Sequence, residues 1–213
     1  MNIREIVGSK IQSIRAVLDF IEQPYVGSDP LPERPADSSF VTELDRAASA
    51  TIEALARGNK LLAAGNGGSA AEAQHLTGEI VGRFKGEKRP LPAVCLHADT
   101  STLTAVANDY GYDTVFARQV EALGKQGDVL YLLSTSGRSP NLLAAASTAK
   151  RLGISVIALL GAGSSPLKEL CDIAVCVPSA DPQTVQEMHL FAVHTIAWAV
   201  EEALSGDRLL TDP

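Results

Sequence analysis

Residues 129–140 read VLYLLSTSGRSP: an apolar run the length of one buried strand, a hydroxyl-rich turn around Gly137, and Pro140, a favoured opening residue for a helix. Four further short apolar runs resemble its first half: LLAA from Leu61, AVCL from Ala93, SVIALL from Ser155 and IAVCV from Ile173. Longer segments separate most of them. Strands that are apolar at successive positions are covered on both faces, and their alternation with helices implies a parallel sheet between helical layers. The expected fold class is α/β.

On the N-terminal side, apolar residues at Ile3, Ile6, Val7, Ile11, Ile14, Val17, Leu18 and Ile21 keep the three-and-four spacing of an amphipathic helix that ends before Pro24. Residues 23–39 hold Pro24, Pro30, Pro32, Pro35 and Gly27, a composition that predicts a loop. A second helix is expected from about Phe40 to Arg57, stopping at Gly58. On the C-terminal side, a helix from Thr184 to Leu204 is apolar around most of its circumference and carries Phe191 and Trp198, so it is buried in the core or against another subunit. The chain divides into an N-terminal helical segment, 1–58, packing on the core or on a neighbouring subunit, and a domain over 59–205, a single domain overall.

At 213 residues and 46% hydrophobic, the chain can bury a full-sized core. Lys plus Arg number 18 against 25 Asp plus Glu, a net charge of −7 without any basic run, which argues against nucleic acid as a partner. Charges at Arg4, Glu5, Lys10 and Arg15 interrupt the start, and no stretch reaches the length of a membrane span, so a cytoplasmic protein without a membrane partner is expected. Cys95, Cys171 and Cys176 sit in apolar, strand-like runs and are expected to be buried thiols in a reducing compartment.

In an open parallel sheet, ligands bind beyond the carboxyl ends of the strands. LLAA is followed by Gly65-Asn66-Gly67-Gly68-Ser69 and then a helix from Ala70, which lets backbone amides approach an anion. The letters also match a dinucleotide fingerprint, but Asp99 stands too far from Gly65 to be its ribose-binding acid; a tight turn with nothing bound is the other reading. After VLYLL, Ser134, Thr135, Ser136 and Ser139 place four hydroxyls within six residues of a helix start, where ordinary capping uses one. A phosphate cradle is expected there, with Arg138 at its rim. His75 and Glu79 lie at i and i+4 on the first of these helices and share a face with Arg83. Gln186, Glu187, His189 and His194 interrupt the apolar final helix. Gln186 and His194 are about 12 Å apart along its axis, so they meet one small atom only by leaning together or if the helix starts after Gln186.

Taken together, the GNGGS loop, His75 with Glu79, Asn108-Asp109 after SxLTAVA, the STSGxS loop, and Gln186-Glu187-Met188-His189 followed by His194 resemble the sedoheptulose 7-phosphate isomerases (phosphoheptose isomerases) of the SIS, or sugar isomerase, superfamily. The likeness runs from Lys60 to about Leu204. It implies an SIS-type three-layer sandwich with a five-stranded parallel sheet flanked by helices. It implies an aldose–ketose isomerase that converts sedoheptulose 7-phosphate to D-glycero-D-manno-heptose 7-phosphate through an enediol, the first step toward ADP-heptose or GDP-heptose precursors. By position, Glu79 resembles the catalytic base and His194 its acid–base partner. Asn66, Gly67, Gly68, Ser69, Asn108, Asp109 and Gln186, with Glu79, resemble the residues lining the sugar site; Ser134, Thr135, Ser136 and Ser139 resemble the phosphate loop. His75, Glu79, Gln186 and His194 match the residues that hold one zinc per subunit in metal-bound members. The family's homotetramer, with active sites at subunit interfaces, is the implied assembly. Two departures are the long Pro-rich segment 23–39 and the apolar pair Ala70-Ala71. Two rivals are a non-catalytic tetramer of the DnaA initiator-associating type, a group that lacks the equivalents of Glu79 and His194, and an isomerase of another sugar phosphate.

Overall fold

The computed structural model describes residues 2–22 and 40–205; the Pro-rich loop expected over 23–39 lies outside them. Five strands, β1 (Leu61–Gly65), β2 (Ala93–Cys95), β3 (Val129–Ser134), β4 (Ser155–Leu160) and β5 (Ile173–Cys176), form one parallel sheet in the order β2-β1-β3-β4-β5. Each coincides with an apolar run of the sequence. The helices are α1 (Ile3–Glu22), α2 (Phe40–Ala56), α3 (Gly68–Val81), α4 (Thr100–Tyr110), α5 (Val115–Leu123), α6 (Pro140–Arg151), α7 (Pro166–Leu170) and α8 (Pro182–Leu204).

Alternate residues of each strand enter opposite cores, which is why the runs are apolar throughout. Leu61, Ala63, Tyr131, Leu133, Ile157 and Leu159 face a core built with Leu44 and Leu55 of α2, Leu76 and Ile80 of α3, and Val193, Ile196 and Val200 of α8. Leu62, Ala64, Leu130, Leu132, Val156 and Ala158 face a second core with Phe116 and Val120 of α5, Leu142 and Ala146 of α6, and Leu167 of α7. Fully burying one such side chain stabilises the fold by about 1.5–3 kcal/mol. The result is the three-layer sandwich expected.

Two polar groups inside these layers are paired. Tyr131 is fully buried, and its hydroxyl shares a 2.7 Å hydrogen bond with Thr51 Oγ1 and donates to the Ala47 carbonyl of α2 at 3.2 Å. Asp128, also fully buried, accepts from the Lys60 ammonium at 2.5 Å and from the Lys60 and Lys125 amides, fastening the start of β3 to that of β1. The three cysteines are free thiols, but only Cys95 is buried. Cys171, at the C-cap of α7, and Cys176, at the end of β5, are only half-buried, a correction to the sequence expectation.

β1 is flanked by β2 on one side and β3 on the other, so the chain leaves β1 and β3 toward opposite sides of the sheet. A topological switch point of this kind opens a crevice at the carboxyl ends of the two strands. The loops after Gly65 and Ser134, the two singled out in the sequence, therefore lie side by side.

Candidate active site

The loop after β1 turns at Gly67, whose φ of +58° belongs to the left-handed region that glycine tolerates. Gly68 then opens α3 with the Gln186 side chain packed so close that an added Cβ would stand 2.5 Å from Gln186 Nε2. Ser69 is buried in the first turn. Asp99, the acid weighed against a dinucleotide fingerprint, instead caps α4, accepting from Thr102 N at 3.0 Å and from its hydroxyl at 2.6 Å.

The loop after β3 is shaped by its own hydroxyls. Buried Ser134 Oγ accepts the Gly137 amide at 3.0 Å, and Ser136 Oγ accepts the Arg138 amide at 3.4 Å. Gly137 has φ +62° and is backed closely by Ser165. Ser139 occupies the N-cap of α6, yet its side chain makes no capping hydrogen bond. Its hydroxyl and exposed Ser136 stand at the positive end of the helix, where negative charge is favoured. Thr135 is half-buried, and exposed Arg138 reaches the Ser164 carbonyl at 3.4 Å.

Two residues absent from the sequence reading tie the loops together. Asn141, 2% exposed in the first turn of α6, pairs reciprocally with Asn66 through two amide hydrogen bonds of 3.0 and 2.9 Å. The Tyr112 hydroxyl donates to Asn66 Oδ1 at 3.1 Å. Asn108 and Asp109, joined by a 2.8 Å hydrogen bond, are exposed at the end of α4, just before Tyr112.

α3 and α8 run in the same direction, so their residues meet in register: Gly68 with Gln186, Glu72 with His189, His75 with His194. At the third of these pairings His75 Nε2 stands 2.9 Å from His194 Nε2 and 3.2 Å from Glu79 Oε1. The three side chains offer ligand atoms within 4.8 Å of one another. Two imidazoles and a carboxylate suit zinc, and bonds of about 2.0–2.1 Å to a tetrahedral ion would set such atoms ~3.3 Å apart. The observed spacings are close to that, so these residues fit one ion. Gln186 is not among them within one subunit: α8 has already begun at Pro182, and the Gln186 amide lies at Gly68. His189 is buried between these two levels, its Nδ1 3.6 Å from Glu72 Oε2. A cavity of about 600 Å³ opens along the outer face of α3, lined by Gln74, His75, Gly78, Glu79 and Arg83.

An open parallel sheet with hydroxyl and amide loops at its switch point, and a carboxylate–imidazole cluster on α3 and α8, is an arrangement suited to an enzyme acting on an anionic ligand. A family model described as SIS domain matches residues 38–161. The phosphoheptose isomerase of Campylobacter concisus is 49% identical over 168 residues, 79% of this chain and 89% of that protein. That of Pelobacter propionicus is 53% identical over 157 residues, 74% of this chain and 83% of that protein. The solved structure of a phosphoheptose isomerase from Francisella tularensis superposes with a TM-score of 0.83 at 34% identity, covering 95% of this chain and all of that one. The chain belongs to the SIS domain family and, within it, to the phosphoheptose isomerases.

Proposed function

We propose that the protein interconverts sedoheptulose 7-phosphate and D-glycero-D-manno-heptose 7-phosphate, an aldose–ketose isomerisation through an enediol. The observation that carries this reading is the convergence of Glu79 and His75, on the helix that the glycine loop opens, with His194 of α8. The relatives' names supply the reaction class. Forming the aldose requires that a proton leave C1 and another arrive at C2, while O2 gains a proton and O1 loses one. Glu79 takes the proton from C1 and returns one to C2; the His194 imidazole serves the two oxygens. Ser134, Thr135, Ser136 and Ser139 hold the phosphate at the α6 N-terminus, and Asn66, Gly67, Gly68, Ser69, Asn108, Asp109 and Gln186 line the sugar. Zinc held by His75, Glu79 and His194 would polarise the sugar oxygens. Gln186, packed against Gly68, would contact the sugar at that loop.

In this reading the isomerase domain spans 59–205 and the enzyme is a cytoplasmic homotetramer with sites at subunit interfaces. Support for the assembly comes from exposed apolar side chains on the outer helices: Ile3 is 70% exposed on α1, and Phe191 and Trp198 are 49% and 45% exposed on α8. Among the described residues no helix is long and apolar enough to cross a membrane. Sedimentation should show a tetramer; a stable, active monomer would contradict the shared site. Turnover of sedoheptulose 7-phosphate alongside fructose 6-phosphate tests the substrate, with kcat/KM expected to favour the seven-carbon sugar.

Serine substitutions test the phosphate loop. Hydrogen bonds to a charged group contribute about 1.5–3 kcal/mol, so Ser136→Ala should raise KM by roughly 10- to 100-fold and weaken inhibition by phosphosugars of every chain length in parallel. Ser134→Ala should cost more, because its hydroxyl also fixes the Gly137 amide. Unchanged binding of all these ligands would reduce the loop to a helix cap.

A further inference from the structure

Glu201 lies two turns beyond His194 on α8 and is 3% exposed, a rare setting for a carboxylate. Its oxygens accept three consecutive backbone amides from the segment after α3: Phe84 N at 2.7 Å, Lys85 N at 2.8 Å and Gly86 N at 2.6 Å. Successive N–H groups converging on one anion form a nest. Burial works to raise the Glu201 pKa, but these donors outweigh it and hold the carboxyl below its ordinary range. The same segment is anchored to α3 by Lys88, whose buried ammonium donates to the Ile80 and Gly82 carbonyls at 2.6 and 2.7 Å. What this doubly fastened segment presents is Phe84. Its ring centroid lies 5.3 Å from that of His194, tilted by 37°, while His75 meets the same imidazole edge-on at 5.1 Å.

We propose that Glu201 is a positioning residue for the isomerisation: its carboxylate fixes the 84–86 backbone so that the Phe84 ring seats the His194 imidazole with Nε2 turned toward His75 and Glu79. The inference rests on the reading of His194 as the acid–base partner. Glu201 itself has no part in proton transfer, since its oxygens are occupied by the three amides.

The test measures kcat and KM for sedoheptulose 7-phosphate separately in Glu201→Ala, Phe84→Ala, their double variant, Glu201→Gln and Phe84→Tyr. Misplacing a catalytic group by about 1 Å costs up to ~100-fold. Each alanine variant should therefore lower kcat by roughly 10- to 100-fold with KM little changed. The double variant should fall no further than the worse single one, because both act through one contact. Phe84→Tyr keeps the ring and should keep the rate; Glu201→Gln retains one acceptor and should fall between. Additive losses, or a wild-type kcat in Phe84→Ala, would overturn the proposal, and Phe84→Ala decides it even if Glu201→Ala fails to fold. Independently of turnover, the His194 ring-proton NMR resonance, assigned by its loss in His194→Ala, should move in Phe84→Ala and move likewise in Glu201→Gln. An unmoved resonance in Glu201→Gln would overturn the positioning role, whereas a wild-type protein inert toward the sugar would count against the functional reading alone.

Discussion

Glu79→Gln is expected to lower turnover by about 10²- to 10⁴-fold, the range general acid–base catalysis supplies. The amide keeps the size of the side chain and an acceptor oxygen near His75, but it cannot take a proton from carbon. Because the proposed phosphate contacts and most of the proposed sugar contacts lie on other residues, KM should change little, the signature of an interaction made only in the transition state. Zinc content of the variant should be measured alongside, so that loss of the base is separated from loss of a ligand. A variant retaining more than about a tenth of the wild-type rate would remove Glu79 from the role of base.

The second large effect concerns metal. Dialysis against a strong chelator should abolish most of the activity, and zinc should restore it. His75 and His194 turn their Nε2 atoms toward each other at 2.9 Å, and Glu79 closes the third corner. Loss of a mere outer-shell partner weakens metal sites by about 10- to 100-fold, so His75→Ala should weaken zinc by more than that. His75 is on the exposed face of α3, so thermal stability without metal should hardly move. Zinc per chain, read by elemental analysis, checks this without reference to activity. A metal-free protein working at full rate in chelator would leave Glu79 and His194 to act unaided, with His75 orienting Glu79.

The sheet was legible because its strands are buried on both faces: VLYLL, VIALL and LLAA are apolar at every position, and nothing shorter than a helix separates most of them. The loops were legible because Gly67 takes a left-handed backbone and Ser134 and Ser136 bond the amides of their own turn. The shared face of His75 and Glu79 followed from helical spacing. Contacts across α3 and α8 did not. The parallel register of those helices sets Gln186 at Gly68 and His194 at His75, a separation that axial distance alone anticipates but cannot assign. Asn141 reads locally as a polar residue in a first helical turn, and only the adjacency of β1 and β3 brings it to Asn66. Glu201, in the polar end of α8, has the sequence signature of a solvated acid; its burial depends on the segment folding back from α3. The partial exposure of Cys171 and Cys176 is not legible either, since apolar neighbours in sequence do not show which thiol faces a core.

In the proposed reaction the Glu79 carboxylate and the His194 imidazole move protons between adjacent sugar carbons and their oxygens. Incubation with sedoheptulose 7-phosphate in D₂O, followed by NMR, tests it most directly. The expected product is D-glycero-D-manno-heptose 7-phosphate carrying deuterium at C2, formed by the wild-type protein and not by Glu79→Gln. A ketose recovered unchanged and undeuterated from the wild-type protein supplied with zinc would contradict the account.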